Sequence, residues 1–251
     1  MKVYLLTFAE GEVYIKSRQN MDETKDICQV DSHTMWNYEK IKQTRFYLDN
    51  KKILDNKDGF GYYIWKPYII LEKLKELNDG DYLFYQDASR YETDGFKNSC
   101  REVVNFMNRF GYDILTGMTL KKNYNYQMIK PSCLDFFNLN NDDFKQKHHI
   151  LTCPLFIKKN SFTMNFVREW LECCCVEDNV SYMDLSHLGG QRNMYDQAVF
   201  NCLLYKYKIA KEGMRSFGKI KSPLPDSDDE MEYRKFTYYF DFFMSDKITL
   251  I

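Results

Sequence analysis

The sequence predicts an α/β fold with one sheet covered by helices on both faces. Short apolar runs alternate with segments of helical spacing along a single block, and neither a solenoid repeat nor a long linker divides it. A length of 251 residues, 44% of them hydrophobic and 17% aromatic, suffices for a sizeable core. We therefore expect a single domain over residues 1–251, with its core at about 1–207 and a C-terminal extension at 208–251.

Val3-Tyr4-Leu5-Leu6-Thr7-Phe8 reads as a first strand running into a loop at Ala9-Glu10-Gly11. Residues 14–26 suit the helix that follows, and residues 28–31 a weak second strand. The spacing of Trp36, Tyr38, Ile41, Phe46 and Leu48 predicts an amphipathic helix. Pro67 fits a first helical turn, and Ile69, Ile70, Leu71, Leu74 and Leu77 form a stripe that stops at Asn78-Asp79-Gly80. Residues 81–86 read as a buried strand delivering Asp87 at its tip. Helical spacing returns at 96–110, strands are expected at 113–117 and 150–157, and helices at 134–137, 162–176 and 195–207.

Composition narrows the function. With 35 Lys+Arg against 36 Asp+Glu, the chain lacks the basic surplus that neutralising phosphates along a nucleic acid requires, so no nucleic acid partner is expected. The first apolar run is too short for a signal-peptide core, and no segment reaches a transmembrane length without charge; a cytoplasmic protein is the expectation. The 8 cysteines include no CxxC pair, and Cys173, Cys174 and Cys175 are consecutive, which suits reduced thiols better than bridges or a zinc site.

In open α/β sheets ligands bind beyond the carboxyl ends of the strands. A carboxylate at such an end, as at Asp87, is placed to hold a hard divalent cation, with Ser89 two residues on as a second oxygen; the alternative is a residue that starts a turn. Gly59 and Gly61 precede a helix start, where amides approach anions, and Lys66 adds positive charge there. The spacing matches neither a Rossmann fingerprint nor a Walker loop. Tyr63 and Trp65 suit stacking on a base or sugar, or simply the core. Asp196 and Gln197 at a helix start offer a carboxylate and an amide to hydroxyl groups, or a favourable charge for the first turn. Arg192, in a Gly-containing loop, could reach a diphosphate.

Taken together, Gly59-Phe60-Gly61-Tyr62-Tyr63-Ile64-Trp65-Lys66-Pro67, then Gly80-Asp81 followed by Tyr82-Leu83-Phe84-Tyr85-Gln86-Asp87-Ala88-Ser89, then Asp196-Gln197 with Asn201, resemble small glycosyltransferases of bacterial surface-polysaccharide loci and large DNA viruses. The similarity spans about residues 3–207 and extends distantly to the glycogenin and lipopolysaccharide galactosyltransferase class. It implies a GT-A fold with a central mixed, mainly parallel sheet, a nucleotide-sugar donor, a glycan or other hydroxyl acceptor, and Mn²⁺ or Mg²⁺. It implies host cytoplasm if the source is viral. By this resemblance Thr7, Phe8, Tyr62, Trp65, Lys66 and Arg192 lie near the nucleotide sugar, Asp87 and Ser89 near the metal, and Asp196 and Gln197 at the donor sugar as catalytic residues. Gln86, Ser89 and Met194-Tyr195 depart from the family pattern, and no histidine after residue 207 matches the metal-completing one of the glycogenin class. A non-catalytic sugar-nucleotide or carbohydrate-binding module of the same fold is the alternative.

Overall fold

A computed structural model describes residues 1–88, 96, 99–118 and 124–207. Ser89 and the expected extension at 208–251 lie outside the described residues. The described chain folds as α/β around a five-stranded, mixed, mostly parallel open sheet. Its strands are β1 (Val3–Phe8), β2 (Ser32–Trp36), β3 (Tyr82–Asp87), β4 (Ile114–Met118) and β5 (Ile150–Lys158), in the spatial order β2-β1-β3-β5-β4. β1 pairs in parallel with both β2 and β3, whereas β5 runs antiparallel to its neighbours β3 and β4. Five helices of ten residues or more accompany the strands: α1 (Glu12–Glu23), α2 (Trp65–Glu76), α3 (Arg101–Phe110), α4 (Ser161–Cys174) and α5 (Asp196–Lys206).

Alternation of side chains along the strands divides the core in two. Leu6, Phe8, Leu83, Tyr85, Leu155 and Ile157 face one way and meet Ile69, Ile70 and Leu74 of α2, Phe166 and Trp170 of α4, and the buried length of α5. Val3, Leu5, Tyr82, Phe84 and Phe156 face the other way, against Met21 of α1 and Val103, Val104 and Met107 of α3. Two carboxylates fasten the start of the sheet: Asp31 Oδ2 accepts from the Val3 amide at 2.7 Å, and Asp81 Oδ1 from the Lys2 amide at 2.8 Å.

Several expected elements move. The second strand lies at Ser32–Trp36 rather than 28–31, because Lys25–Cys28 closes a helical turn. The helix expected from Trp36 to Leu48 is broken into Tyr38–Lys42, Arg45–Asp49 and Lys51–Leu54. The Asn37 and Thr44 side chains accept from the Lys40 and Tyr47 amides and cap the first two pieces. In β5 the pairing register with β4 slips between Thr116 and Met118, so Ile150 and Leu155 reach the same core despite their odd separation. All eight cysteines are free thiols, five of them buried.

His149 shows how a polar residue is accommodated in this core. Asn201 is fixed by its bonds to the Ile150 amide (2.8 Å) and carbonyl (2.9 Å), which turns its Nδ2 toward His149 Nε2 at 3.4 Å. That Nδ2 gives its two protons to the Ile150 and Gln197 carbonyls and cannot accept, so the ring proton sits on Nδ1, which donates to Asn125 Oδ1 at 3.0 Å, and the ring is neutral. Burial lowers the His149 pKa to about 3. From about pH 6.5 down to about pH 3 the unfolded chain therefore binds a proton that the folded chain refuses. Stability from this residue is full above pH 6.5 and is lost as pH falls. Urea unfolding between pH 7 and pH 4 should show a shallower acid decline in His149→Gln than in the wild type, the difference approaching about 1.4 kcal/mol per pH unit. Equal slopes would refute the neutral assignment.

Candidate functional site

Beyond the carboxyl ends of β1 and β3 lies a cavity of about 480 Å³. Phe8, Ala9 and Glu10 bring the end of β1 to it, and Gln86, Asp87 and Ala88 the end of β3. Trp65 and Lys66 come from the start of α2, Thr152 and Cys153 from β5, and Gln197 from the first turn of α5.

The centre of the site is the Lys66 ammonium. It is 4% exposed and lies 3.4 Å from Asp87 Oδ2, 3.4 Å from Thr152 Oγ1 and 4.0 Å from Asp196 Oδ2. Burial alone works against its charge, but Asp87 and Asp196 outweigh that and hold its pKa above the ordinary lysine value. Burial pushes the Asp196 carboxyl up to about 7 against the pull of Lys66. The Tyr85 hydroxyl donates to Asp87 Oδ1, and burial followed by the Asp87 charge keeps that phenol protonated. Asp87 is thus held on both oxygens. The Thr152 amide donates to Gln197 Oε1 at 3.4 Å, whereas Gln197 Nε2 is buried without a hydrogen-bond partner among the described residues. Lys66 and Gln197, both in the cavity lining, thus bring an ammonium and an amide N–H to the site, a donor pair suited to an anion or to sugar hydroxyls.

One wall is aromatic, and it reaches the ammonium: the Tyr63 ring centroid lies 5.6 Å from Lys66 Nζ. Phe8 stacks on Trp65 with centroids 3.7 Å apart, and Tyr14, Phe60 and Tyr63 complete the rim. An unusual backbone carries this wall: Gly59, Phe60, Gly61, Tyr62 and Tyr63 have φ of 57°, 51°, 90°, 55° and 61°, a left-handed turn of five residues. Each non-glycine member costs roughly 1–2 kcal/mol. Hydrogen bonds offset that cost, from the Gly61 amide to Asn56 O (2.8 Å), the Tyr62 amide to Asp58 O (2.7 Å) and Trp65 Nε1 to Gly59 O (2.9 Å). Gly61 has no alternative residue, since a Cβ there would sit 2.6 Å from Leu54 Cα.

Of the residues the sequence singled out, Phe8, Gly59, Tyr63, Trp65, Lys66, Asp87 and Gln197 line the cavity, and Asp196 lies beneath its floor against Lys66. Thr7, Tyr62 and Arg192, expected near the nucleotide sugar, do not line it. Thr7 is fully buried on the other face of β1 from Phe8, with its hydroxyl 2.8 Å from His33 Nε2. Tyr62 turns inward through its left-handed backbone, accepts from Asn56 Nδ2 at 2.7 Å and stacks on Tyr195. Arg192 rests over the Tyr195 ring at 5.6 Å. Reasoning from the sequence missed Thr152 and Cys153, which a register slip turns toward the site; Glu10 is one of the residues just after a strand that the strand-end rule picks out, though the sequence gives it no role.

The chain matches no protein-family model and no curated protein.

Gly61→Ala should lower stability by more than about 2 kcal/mol. Gly80→Ala, at φ 88° with open space around its Cβ, should cost only about 1 kcal/mol. Equal losses in urea unfolding would mean that backbone φ alone matters at Gly61. Lys66→Met should cost about 3 kcal/mol by stranding a buried carboxyl, and adding Asp196→Asn should recover part of that loss. A single-variant loss below about 1 kcal/mol would show that the ammonium does not hold the floor together.

Proposed function

We propose that this chain is a glycosyltransferase of GT-A type that moves a hexosyl or pentosyl group from a nucleotide-diphosphate-sugar donor to a glycan or other hydroxyl acceptor. One observation carries the reading. Asp87 at the tip of β3 and Asp196 at the start of α5 meet across the Lys66 ammonium, at and beneath the floor of a cavity lined by N–H donors and aromatic rings.

The chemistry follows from charge. As the bond between sugar and diphosphate breaks, the leaving nucleoside diphosphate accumulates negative charge, and a fixed ammonium stabilises that charge more in the transition state than in the bound substrate. Lys66 is held in place before substrate arrives, so little reorganisation is needed. Gln197 Nε2 supplies a second donor for a phosphate or a sugar hydroxyl. Asp196, absent from the cavity wall, enters as a positioning residue that fixes Lys66. The aromatic side offers faces for the base and ribose.

A divalent cation, Mn²⁺ or Mg²⁺, belongs to this reading. Among the described residues no three His, Cys, Asp or Glu side chains gather into a metal cage. Asp87, 41% exposed at its side chain, fits as one carboxylate ligand of an ion completed by phosphate oxygens and water. Bound there, the ion would add Lewis-acid stabilisation of the leaving diphosphate. The lone carboxylate also favours, as a second reading, a module that binds sugar nucleotides without turning them over.

A panel of nucleotide sugars with Mn²⁺ should contain at least one that raises the melting temperature, as mass action requires of a ligand of the native state. That donor should be slowly hydrolysed, and Asp87→Asn should cut the hydrolysis at least tenfold. Binding with no hydrolysis would favour the non-catalytic module. Failure of every member to bind would end the sugar-nucleotide reading.

A further inference from the structure

One group in the cavity lining has no use in the transfer chemistry: beside the Lys66 ammonium and the aromatic rings stands the carboxylate of Glu10, just past the end of β1. We propose that Glu10 is the ribose anchor of this site, accepting hydroxyl protons of the nucleoside sugar and thereby selecting ribonucleotides over 2′-deoxyribonucleotides.

Glu10 lies two residues beyond the last residue of β1. The Tyr38 amide donates to its Oε2 at 2.8 Å, and the Ala9 amide donates to Trp36 O at 3.0 Å, so the chain after β2 holds the carboxylate in place. That amide is its one hydrogen-bond partner among the described residues, which leaves Oε1 to accept from a ligand. A carboxylate only accepts hydrogen bonds and repels phosphate, so the group beside it must carry O–H or N–H. Tyr14 and Phe60 line the same cavity with ring faces for a base, and Phe60 lies 5.4 Å from the ring of Tyr38, whose amide holds Glu10. A nucleoside diphosphate meets both demands in one orientation, with its diphosphate toward Lys66 and its sugar toward Glu10. Ribose hydroxyls are common to all ribonucleotides, whereas the N–H pattern of the base varies, and an acidic side chain on a ribose hydroxyl is a general device of open α/β sheets.

The inference rests on the sugar-nucleotide reading and is tested separately from it. Calorimetric titration of the full chain with UDP, ADP, GDP and CDP, their 2′-deoxy counterparts and inorganic pyrophosphate covers both, using the wild type, Glu10→Ala and Glu10→Gln. Glu10→Gln keeps a carbonyl for the Tyr38 amide and so guards against loss of the local fold. In the wild type, the ribonucleotides that bind should do so about tenfold or more tightly than their deoxy forms, as expected for a hydrogen bond to a charged group. Both variants should erase that ratio and leave pyrophosphate binding unchanged. Nucleotides that bind with a ratio near one, or a ratio that survives in both variants, overturn the ribose assignment while leaving the transferase reading intact. A loss on substitution confined to one base, and equal for ribo and deoxy forms, overturns it in favour of base recognition. If no nucleoside diphosphate binds the wild type, both readings fall together.

Discussion

The arrangement at the sheet ends depends on one demand: a buried ammonium must keep its counterions. Lys66 is carried into the interior by the first turn of α2, where Trp65, Pro67 and Ile69 are also buried. A charge so placed is tolerable only with carboxylates and hydrogen-bond acceptors around it. Asp87, Asp196 and Thr152 come from three further elements, so satisfying the lysine sets the relative placement of α2, β3, β5 and α5. The same pairing leaves Asp196 at the border of ionisation, because the lysine offsets its burial only in part. Local electrostatics and the architecture of the cavity are here one problem.

Much of this could be read from the amino-acid order. β1, β3 and α2 announce themselves through continuous apolar runs and a clean stripe, and Asp87 falls where a buried strand must end. Lys66 and Gln197 were legible for a similar reason, each following a marked helix start. What was not legible depends on the face of an element or on register. Thr7 and Phe8 are neighbours in the chain, yet the pleat sends one to His33 and the other to the cavity. Thr152 reaches Lys66 where β5 slips against β4, a shift whose mark in the sequence is Pro154, since proline inside a strand is confined to edges and bulges. β2 escaped because Ser32-His33-Thr34 is polar and half-exposed at the sheet edge, and lacks the apolar run that marks an interior strand.

The left-handed turn at Gly59 to Tyr63 illustrates a local preference overridden by packing. Three aromatic residues occupy a backbone region that costs each of them energy, and the turn persists because Tyr62 is buried on Tyr195 and Trp65 is tied to Gly59. In exchange, Phe60 and Tyr63 stand at the cavity rim with rings partly open to solvent. Glycine at 61 is dictated by the neighbouring backbone of Leu54, whereas a Cβ at 59 would run into the Tyr63 ring.

Helix α5 is buried on every side from Asp196 through Leu204, and it contributes the last pieces of the cavity floor. During synthesis Lys66 leaves the ribosome some 130 residues before Asp196 does. The nascent chain must therefore carry an uncompensated lysine, together with the apolar seat of a missing helix, until α5 has emerged. Chaperone engagement in that window, and sensitivity to truncation before residue 204, follow directly from threading the most enclosed helix of the described chain in last.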